Sequence, residues 1–149
     1  MRKFEIVKAY KDVEVLVPQR QTKHSAGYDL ASVEDVDLNP GEIKMIPTGL
    51  KVLLPDNEAL LIFPRSSLGI KKGLMMSNSV GVIDSDYYNN ENNEGHIMVP
   101  LYNFSNKKVT VSKGERVAQG VFINYLQTID DDPNHTVRLG GFGSSDKKQ

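Results

Sequence analysis

Apolar and polar residues alternate in several short runs of this chain. Apolar side chains stand on every second residue at positions 13, 15 and 17, at 43 and 45, and at 109 and 111. Because successive side chains of a strand point to opposite faces, this period of two predicts short strands. Turn-forming residues separate the runs, at 39–41, 47–49, 55–57 and 113–114. Short strands with a turn about every ten residues are typical of a β-sandwich or a barrel.

One segment departs from the pattern and predicts a short helix. Residues 66–73 begin with two serines that can cap a helix, carry Lys71 and Lys72 towards the end, and finish on Gly73. Glycine readily adopts the left-handed conformation that ends helices, and lysines suit the last turn. The longer segment 116–126 contains Gly120 and several β-branched residues, so a strand is expected there.

Length and composition restrict the classes of protein to consider. The chain has 149 residues and no cysteine, which excludes disulfide scaffolds, thiolate metal sites and cysteine nucleophiles. Its 18 basic and 19 acidic residues leave a net charge of −1, so no nucleic-acid or anionic-membrane partner is expected. Neither a membrane-length apolar run nor a signal segment is visible. These features predict a cytoplasmic, single-domain protein.

The composition changes near residue 134. We predict a β domain over residues 1–134, followed by a glycine-rich segment over 135–149. A frayed polar tail is the simple interpretation of such a terminus. A flap that closes over a site is the alternative, because the segment also carries an arginine and a phenylalanine.

The residues suggest anion binding more readily than nucleophilic catalysis. The three histidines, His24, His96 and His135, have no metal-type spacing, and no Gly-x-Ser-x-Gly sequence is present. In contrast, Pro64-Arg65-Ser66-Ser67 leads into the predicted helix, so backbone N–H groups, hydroxyls and a guanidinium converge there. Such a helix start suits a phosphate, although capped helix starts without that role are common.

Two further features place polar side chains among apolar ones. In a strand, Asp84 and Asp86 would point to one face after the apolar residues 81–83. They either serve a site or belong to a hairpin that approaches its turn at 89–90. Gln119 follows apolar residues and either faces water or makes a specific hydrogen bond, because an unpaired buried amide costs about 1–3 kcal/mol.

Taken in chain order, five segments resemble the five motifs of the homotrimeric dUTPases. Any one of them is weak, but five in this order and spacing are highly specific, and they span residues 26–145. They are Ala26-Gly27-Tyr28-Asp29-Leu30, Pro64-Arg65-Ser66-Ser67-Leu68-Gly69, Asn78-Ser79-Val80-Gly81-Val82-Ile83-Asp84-Ser85-Asp86-Tyr87, residues 114–120 and residues 138–145.

The resemblance implies an all-β, jelly-roll-like sandwich of the dUTPase β-clip type, with one short helix and a flexible C-terminal arm. It also implies a homotrimer whose active sites are shared between subunits. The implied reaction is dUTP plus water to dUMP plus pyrophosphate, assisted by Mg²⁺. This reaction limits uracil in DNA and supplies dUMP for dTMP synthesis.

By the same resemblance, Asp84 is the base that orients and deprotonates the attacking water, and it reaches the sugar 3′-hydroxyl. Tyr87 lies under the deoxyribose and excludes a 2′-hydroxyl. The pocket that selects uracil is formed by Asn78, Gly81, Val82, Ile83 and Met98.

The resemblance also supplies the phosphate ligands. A neighbouring subunit contributes Arg65, Ser66, Ser67 and Gln119, and Asp29 touches the metal ion through water. From the arm, Arg138 meets the γ-phosphate, Phe142 stacks on the uracil, and Gly143 and Ser144 bind the substrate.

One departure from the family pattern is visible. Residues 88–96 form a longer and more polar hairpin tip than the family's usual short turn, and we interpret it as a tolerated surface extension. Met98 is placed by aligning residues 95–98 beyond this tip.

Two other functions remain open for the same scaffold. A dCTP deaminase would need a base and polar groups at the C4 edge of the pyrimidine, where only Asn78 is found, without a nearby glutamate. A non-catalytic nucleotide sensor could lack either Asp84 or the arm, and both are present here.

Overall fold

The computed structural model describes residues 1–131. Within that range lie eleven strands and one α-helix, and two 3₁₀ turns at Lys8–Tyr10 and Ser85–Tyr87. In chain order, the elements are β1 (Lys3–Ile6), β2 (Tyr28–Ala31), β3 (Val36–Leu38), β4 (Ile43–Pro47), β5 (Leu50–Leu53), β6 (Glu58–Pro64), α1 (Ser66–Lys72), β7 (Leu74–Met76), β8 (Gly81–Asp84), β9 (Met98–Asn103), β10 (Val109–Val111) and β11 (Arg116–Asn124).

The strands form two larger sheets and two strand pairs. The larger sheets have the orders β2–β11–β6–β8 and β4–β9–β7, and the pairs are β1 with β5 and β3 with β10. Every described ladder is antiparallel. Both larger sheets contribute to one apolar core, which contains Leu60 of β6 and Leu101 of β9, both fully buried.

The alternation of side chains holds in the shortest strands. In β7, Leu74 and Met76 are buried while Met75 is exposed, and in β10, Val109 and Val111 are buried on either side of exposed Thr110. The strands predicted at 43–45, 109–111 and 116–126 are confirmed as β4, β10 and β11.

The strand predicted at residues 13–17 is wrong. This segment forms no strand ladder, and only Val15 packs against the core, whereas Val13 and Val17 are exposed. A strand requires a partner that accepts its hydrogen bonds, and Pro18 removes one backbone donor at its end.

The predicted helix is confirmed as α1, with one correction at its start. Gly73 has φ 66° and ψ 31°, and its N–H donates to the carbonyl of Gly69 at 3.1 Å, so the left-handed ending is as expected. The capping residue is Arg65, however, and no side chain caps the first turn. Ser66 is the first helical residue, one position too late to act as the cap.

No helix among residues 1–131 is both long enough and apolar enough to cross a membrane. The predicted arm over 135–149 lies outside the described residues, and so do Arg138, Phe142, Gly143 and Ser144.

Candidate active site

The sheet order brings three of the five sequence segments together. Strand β11 lies between β2 and β6, and its Gln119 stands opposite Asp29 in one ladder and opposite Phe63 in the other. Arg65 follows β6 two residues after Phe63. Asp29, Gln119 and Arg65 therefore meet at one place, which we call the phosphate-side cluster.

Asp29 is the electrostatic centre of the phosphate-side cluster. Its side chain is only 12% exposed, and its two carboxylate oxygens lie 3.7 Å from Nε of Arg65 and 4.0 Å from Nε of Arg116. The Oδ2 atom is buried and has no hydrogen-bond partner among residues 1–131. One carboxylate thus holds two guanidinium groups, both of them partly open to solvent.

Arg116 is a member of the cluster that sequence reasoning missed. In a regular strand, positions 116 and 119 face opposite sides of the sheet, so the pattern does not predict that Arg116 joins Gln119. The ladder between β2 and β11 shifts register between Arg116 and Ala118. Such a bulge re-aims the side chain, and nothing in the local sequence marks it.

The backbone of Gly27 lies so close to Gln119 that no side chain fits between them. A Cβ atom at Gly27 would come within 2.4 Å of Oε1 of Gln119 and 3.2 Å of its Cβ. The Gln119 side chain donates from Nε2 to the carbonyl of Pro64 at 3.4 Å. The glycine therefore lets the amide of Gln119 lie against the start of the Arg65 segment.

The hydroxyls at the start of α1 stand beside this cluster. Ser66 is exposed and Ser67 is half-buried, and within residues 1–131 neither side chain makes a hydrogen bond to the protein. Arg65, Ser66 and Ser67 thus present donors at one surface, as an anion-binding segment requires.

The third predicted motif lies on an edge strand. Strand β8 pairs only with β6 among the described strands, with Gly81 and Ile83 buried and Val82 exposed. Asp84 ends β8 opposite Ala59 and is half-buried. The expectation that Asp84 and Asp86 share one strand face is wrong, because the strand ends and Ser85–Tyr87 turns as a 3₁₀ helix.

Asn78 lies against this strand with an unsatisfied acceptor. Its Oδ1 atom is buried and has no hydrogen-bond partner in the described part of the chain. Its Nδ2 atom lies 3.5 Å from the place that a Cβ of Gly81 would occupy. An orphaned buried acceptor is costly, so this position fits a ligand that brings a donor.

Residues 88–96, which we call the polar loop, place Asn89, Glu91, Asn92 and Asn93 at the surface, as expected of an extension, but the loop also packs against the domain. Asn90 is 7% exposed and Gly95 is buried. Hydrogen bonds join the loop to Tyr87. Tyr87 itself is 6% exposed, and its hydroxyl donates to the carbonyl of His96 at 2.7 Å. The loop is therefore a folded element that is built around Tyr87.

The predicted hairpin partner of β8 lies in another sheet. Met98 is the first residue of β9, opposite Pro47 of β4, and β9 pairs with β4 and β7. No described ladder joins β8 to β9. Met98 is half-buried, and the described ladders do not place it on the β8 edge.

His96 anchors the far end of the polar loop. Its Nε2 atom accepts a hydrogen bond from the backbone N–H of Gly49 at 2.9 Å, and its ring lies 5.3 Å from that of Tyr10. Burial lowers the pKa of His96 below its usual value, and the nearby charge of Glu94 opposes that shift only in part. The neutral imidazole is the form that can accept this bond.

Two parts of the site stand at opposite ends of one strand. Asp84 pairs with Ala59 near the start of β6, whereas Arg65 follows the last residue of that strand. Six residues of extended chain between positions 59 and 65 span about 20 Å. Side chains stand roughly perpendicular to a strand, so Asp84 and Arg65 of one chain do not converge on neighbouring atoms.

A family model described as dUTPase matches residues 14–146. The deoxyuridine 5′-triphosphate nucleotidohydrolase of Lactococcus lactis subsp. lactis (strain IL1403) is 51% identical over 147 residues, covering 97% of each chain. That of Hahella chejuensis is 41% identical over 142 residues, covering 91% of this chain and 90% of the relative.

Solved structures agree with the sequence matches. The crystal structure of dUTPase from Streptococcus mutans superposes with a TM-score of 0.81 at 49% identity, covering 84% of this chain and 97% of that one. A mutant dUTPase from phage phi11 of S. aureus, described as coordinating a structural Mg(II) ion, has a TM-score of 0.72 at 19% identity. It covers 91% of this chain and 98% of that one. The jelly-roll-like β fold expected from the sequence is confirmed.

Proposed function

The chain belongs to the dUTPase family and is a hydrolase that acts on dUTP, and on that premise we propose that Asp84 is the base that activates the attacking water. The water oxygen forms a bond to the α-phosphorus, and the bond from that phosphorus to the bridging oxygen of the β-phosphate breaks. The water proton passes to the Asp84 carboxylate. Pyrophosphate is the leaving group, and dUMP is the other product. A carboxylate can orient a water molecule and accept its proton, which suits this task.

The position of Asp84 supports this role. Asp84 is the last residue of β8. The strand whose backbone would bind uracil therefore leads directly to the carboxylate that would act at the α-phosphate. Asp84 is half-buried, which limits the water that competes for its oxygens. Asp84 would also reach the sugar, which Tyr87, three residues further along, would support.

We propose that uracil binds along the free edge of β8. An edge strand presents backbone N–H and C=O groups without ladder partners, and the backbone of Val82 and Ile83 would pair with the polar edge of the base. The orphaned Oδ1 of Asn78 supports this placement, because uracil offers an N–H donor. A Cβ at Gly81 would lie 3.2 Å from Cβ of Ile62, so the glycine lets β8 lie close to β6, and Gly81 would contribute to the pocket through its backbone. The described ladders give no support to the placement of Met98 in this pocket, which rests on the family resemblance.

We propose that a second subunit supplies the phosphate-side cluster, in a homotrimer with shared sites. The separation of about 20 Å along β6 supports this assembly. Arg65, Ser66, Ser67 and Gln119 would then bind phosphates next to the Asp84 of a neighbouring chain. Two arginines held by one buried carboxylate form a preorganised anion site.

The residues fit a Mg²⁺ ion that is carried by the substrate. No group of three or more His, Asp or Glu side chains capable of holding a metal is found within residues 1–131. Asp29 faces two guanidinium groups, so a cation bound directly to it would meet positive charge. Magnesium often binds through substrate phosphates and keeps several waters, and Asp29 would touch it only through water. When bound, the ion neutralises phosphate charge.

The arm roles stay proposals that rest on the family resemblance. Arg138 and Ser144 would bind phosphates, Phe142 would stack on the uracil, and Gly143 would also contact the substrate. Closing the arm costs conformational entropy that ligand contacts must offset. We also propose a cytoplasmic location, where the reaction would limit uracil in DNA and supply dUMP.

Asp84→Asn tests the base. The amide keeps the size of the side chain but is a far weaker proton acceptor, so kcat should fall by about 10²–10⁴-fold while dUTP still binds. Pyrophosphate release measures the first quantity, and calorimetry with a non-hydrolysable dUTP analogue measures the second.

Asp56→Asn is the matched control, because Asp56 is exposed in the turn before β6. It should keep the turnover of the unmodified protein. Unchanged turnover in Asp84→Asn would rule out the proposed base.

A further inference from the structure

The polar loop holds the side chain of Tyr87 at its hydroxyl. That hydroxyl donates to the carbonyl of His96 at 2.7 Å and accepts from Nδ2 of Asn93 at 2.9 Å. Both partners belong to the loop. Rotation of the phenol away from its position would break two hydrogen bonds together, each worth roughly a factor of 2–10 in an equilibrium.

The backbone of Tyr87 is held by the same loop. Its carbonyl accepts from Nδ2 of Asn90 at 2.8 Å. Gly95 has φ +85°, and a Cβ there would come within 2.7 Å of the Tyr87 carbonyl oxygen. The loop therefore packs directly against this carbonyl, at a position where only glycine fits.

The loop is itself cross-linked and tied to the body of the domain. Oδ1 of Asn93 accepts from Nδ2 of Asn90 at 2.7 Å and from the N–H of Gly95 at 3.1 Å. Lys51 of β5 is 9% exposed, and its ammonium donates to Oδ1 of Asn89 at 2.6 Å and pairs with Glu94 at 3.5 Å. A loop bound in this way can hold another residue in place.

We propose that the polar loop, acting through Asn93, is a positioning element that fixes the phenol of Tyr87 and thereby sets the discrimination between deoxyribose and ribose. This inference rests on the proposed role of Tyr87 under the sugar. A phenol held at both sides of its hydroxyl leaves no space for a 2′-hydroxyl. Without these hydrogen bonds, the phenol ring can move away from the 2′-hydroxyl of UTP, so that UTP can bind.

Asn93→Ala tests this proposal by the ratio of kcat/KM for dUTP to kcat/KM for UTP. Loss of one hydrogen bond to the phenol should lower this ratio by about 3–10-fold. The kcat for dUTP should change by less than about twofold, because Asp84 is untouched. Asn92→Ala is the matched control: it is the same residue type in the same loop, it is exposed, and its side chain makes no described hydrogen bond to Tyr87.

A double-mutant cycle distinguishes positioning from general loop integrity. Tyr87→Phe removes the hydroxyl, so Asn93→Ala added to it should change the ratio by less than about twofold. If Asn93→Ala has the same effect in both backgrounds, Asn93 does not act through Tyr87 and the inference is overturned.

Asn93→Asp covers the case in which Asn93→Ala unfolds the loop. Aspartate keeps the oxygen that accepts from Asn90 and Gly95 but cannot donate to Tyr87. The single hydroxyl hydrogen of Tyr87 can then serve either the new carboxylate or the His96 carbonyl, so the phenol keeps one hydrogen bond instead of two. The ratio for Asn93→Asp should fall as well, and an unaltered ratio contradicts the inference.

Tyr87→Ala distinguishes the proposed role of Tyr87 from the proposed role of Asn93. If it leaves the dUTP-to-UTP ratio unchanged, Tyr87 does not face the sugar, and both its proposed role and the inference are overturned. If it lowers the ratio while Asn93→Ala and Asn93→Asp do not, the proposed function stands and only the inference is overturned.

Discussion

Asp29 organises the phosphate-side cluster from a single carboxylate. It lies between Arg65 and Arg116 at 3.7 and 4.0 Å, and it is largely buried. A buried carboxylate without these partners would carry a large desolvation cost, so the guanidinium groups stabilise it as much as it positions them. The buried carboxylate thus fixes where two guanidinium groups stand, which is what the proposed phosphate site requires.

Gly27→Ala tests how closely Gln119 must be placed. The new Cβ would stand 2.4 Å from the present position of Oε1, so the amide must move away from Pro64. We expect the KM for dUTP to rise by about 10–150-fold, in the range of one lost hydrogen bond to a charged ligand. Steady-state kinetics measures the change.

Two comparisons make this result specific. Gln119→Ala should raise the KM similarly, and the double variant should be no worse than either single one. Gly41→Ala is the control, because a Cβ there meets nothing within 4 Å but the residue has φ +81°. It should lower stability by about 1–2 kcal/mol without changing the KM. A normal KM in Gly27→Ala would mean that Gln119 does not bind the substrate.

The polar loop shows how an element without regular structure can still be rigid. Asparagine side chains bond its own backbone, with Oδ1 of Asn90 accepting from the N–H groups of Asn92 and Asn93 at 3.1 Å each. Such local bonds replace the ladder that a hairpin would supply. The loop is joined to the sheet through His96 and Lys51 and is therefore part of the fold.

The hydrogen bond that His96 accepts should make stability depend on pH. Burial lowers the pKa of His96 in the folded state, so the unfolded chain binds a proton first as the pH falls. The contribution of His96 is complete above the unfolded pKa of about 6.5 and is lost progressively below it. Urea unfolding at pH 7.5 and pH 5.5 should show this loss.

His96→Gln should lose less stability than the unmodified protein between these two pH values. Glutamine offers an acceptor for the Gly49 N–H but does not titrate. His24→Gln, at an exposed histidine, should behave like the unmodified protein. Equal losses in the unmodified protein and His96→Gln would show that another group controls the acid limb.

At the scale of the whole molecule, β6 separates the two parts of the proposed site. Asp84 stands beside its start and Arg65 follows its end. In the proposed homotrimer, a complete site would use a surface of a second chain, and the contact between chains would be head-to-tail because different surfaces meet. A closed ring of three chains would repeat that contact three times.

Mixing two inactive variants tests the shared site directly. Asp84→Asn and Arg65→Ala should each hydrolyse little dUTP at low substrate concentration. Refolded together from urea in equal amounts, they should recover about a quarter of the normal activity. The reason is that half of the chains keep Asp84 and, independently, half of their neighbours keep Arg65.

The control mixes Asp84→Asn with the Asp84→Asn/Arg65→Ala double variant, which leaves no intact Asp84 and should recover nothing. Recovery only in the first mixture supports a site built by two chains. If mass measurement shows trimers that contain both variants and no activity is recovered, one chain builds the whole site.

The sequence by itself determined the features that depend on near neighbours. Alternating side chains predicted β4 and β10, β-branched residues predicted β11, and Gly73 predicted where α1 ends, because these elements are set by local sterics and capping. The same logic failed at residues 13–17, where alternation without a hydrogen-bonding partner produces no strand.

Only the tertiary structure decided what depends on strands distant in the chain. The order β2–β11–β6 brings Asp29 to Gln119 and Arg65, and a bulge in β11 adds Arg116. Pairing between non-consecutive strands is set by how faces pack, which no local pattern encodes. For the same reason, a polar stretch that looked like surface in the sequence became the loop that holds Tyr87.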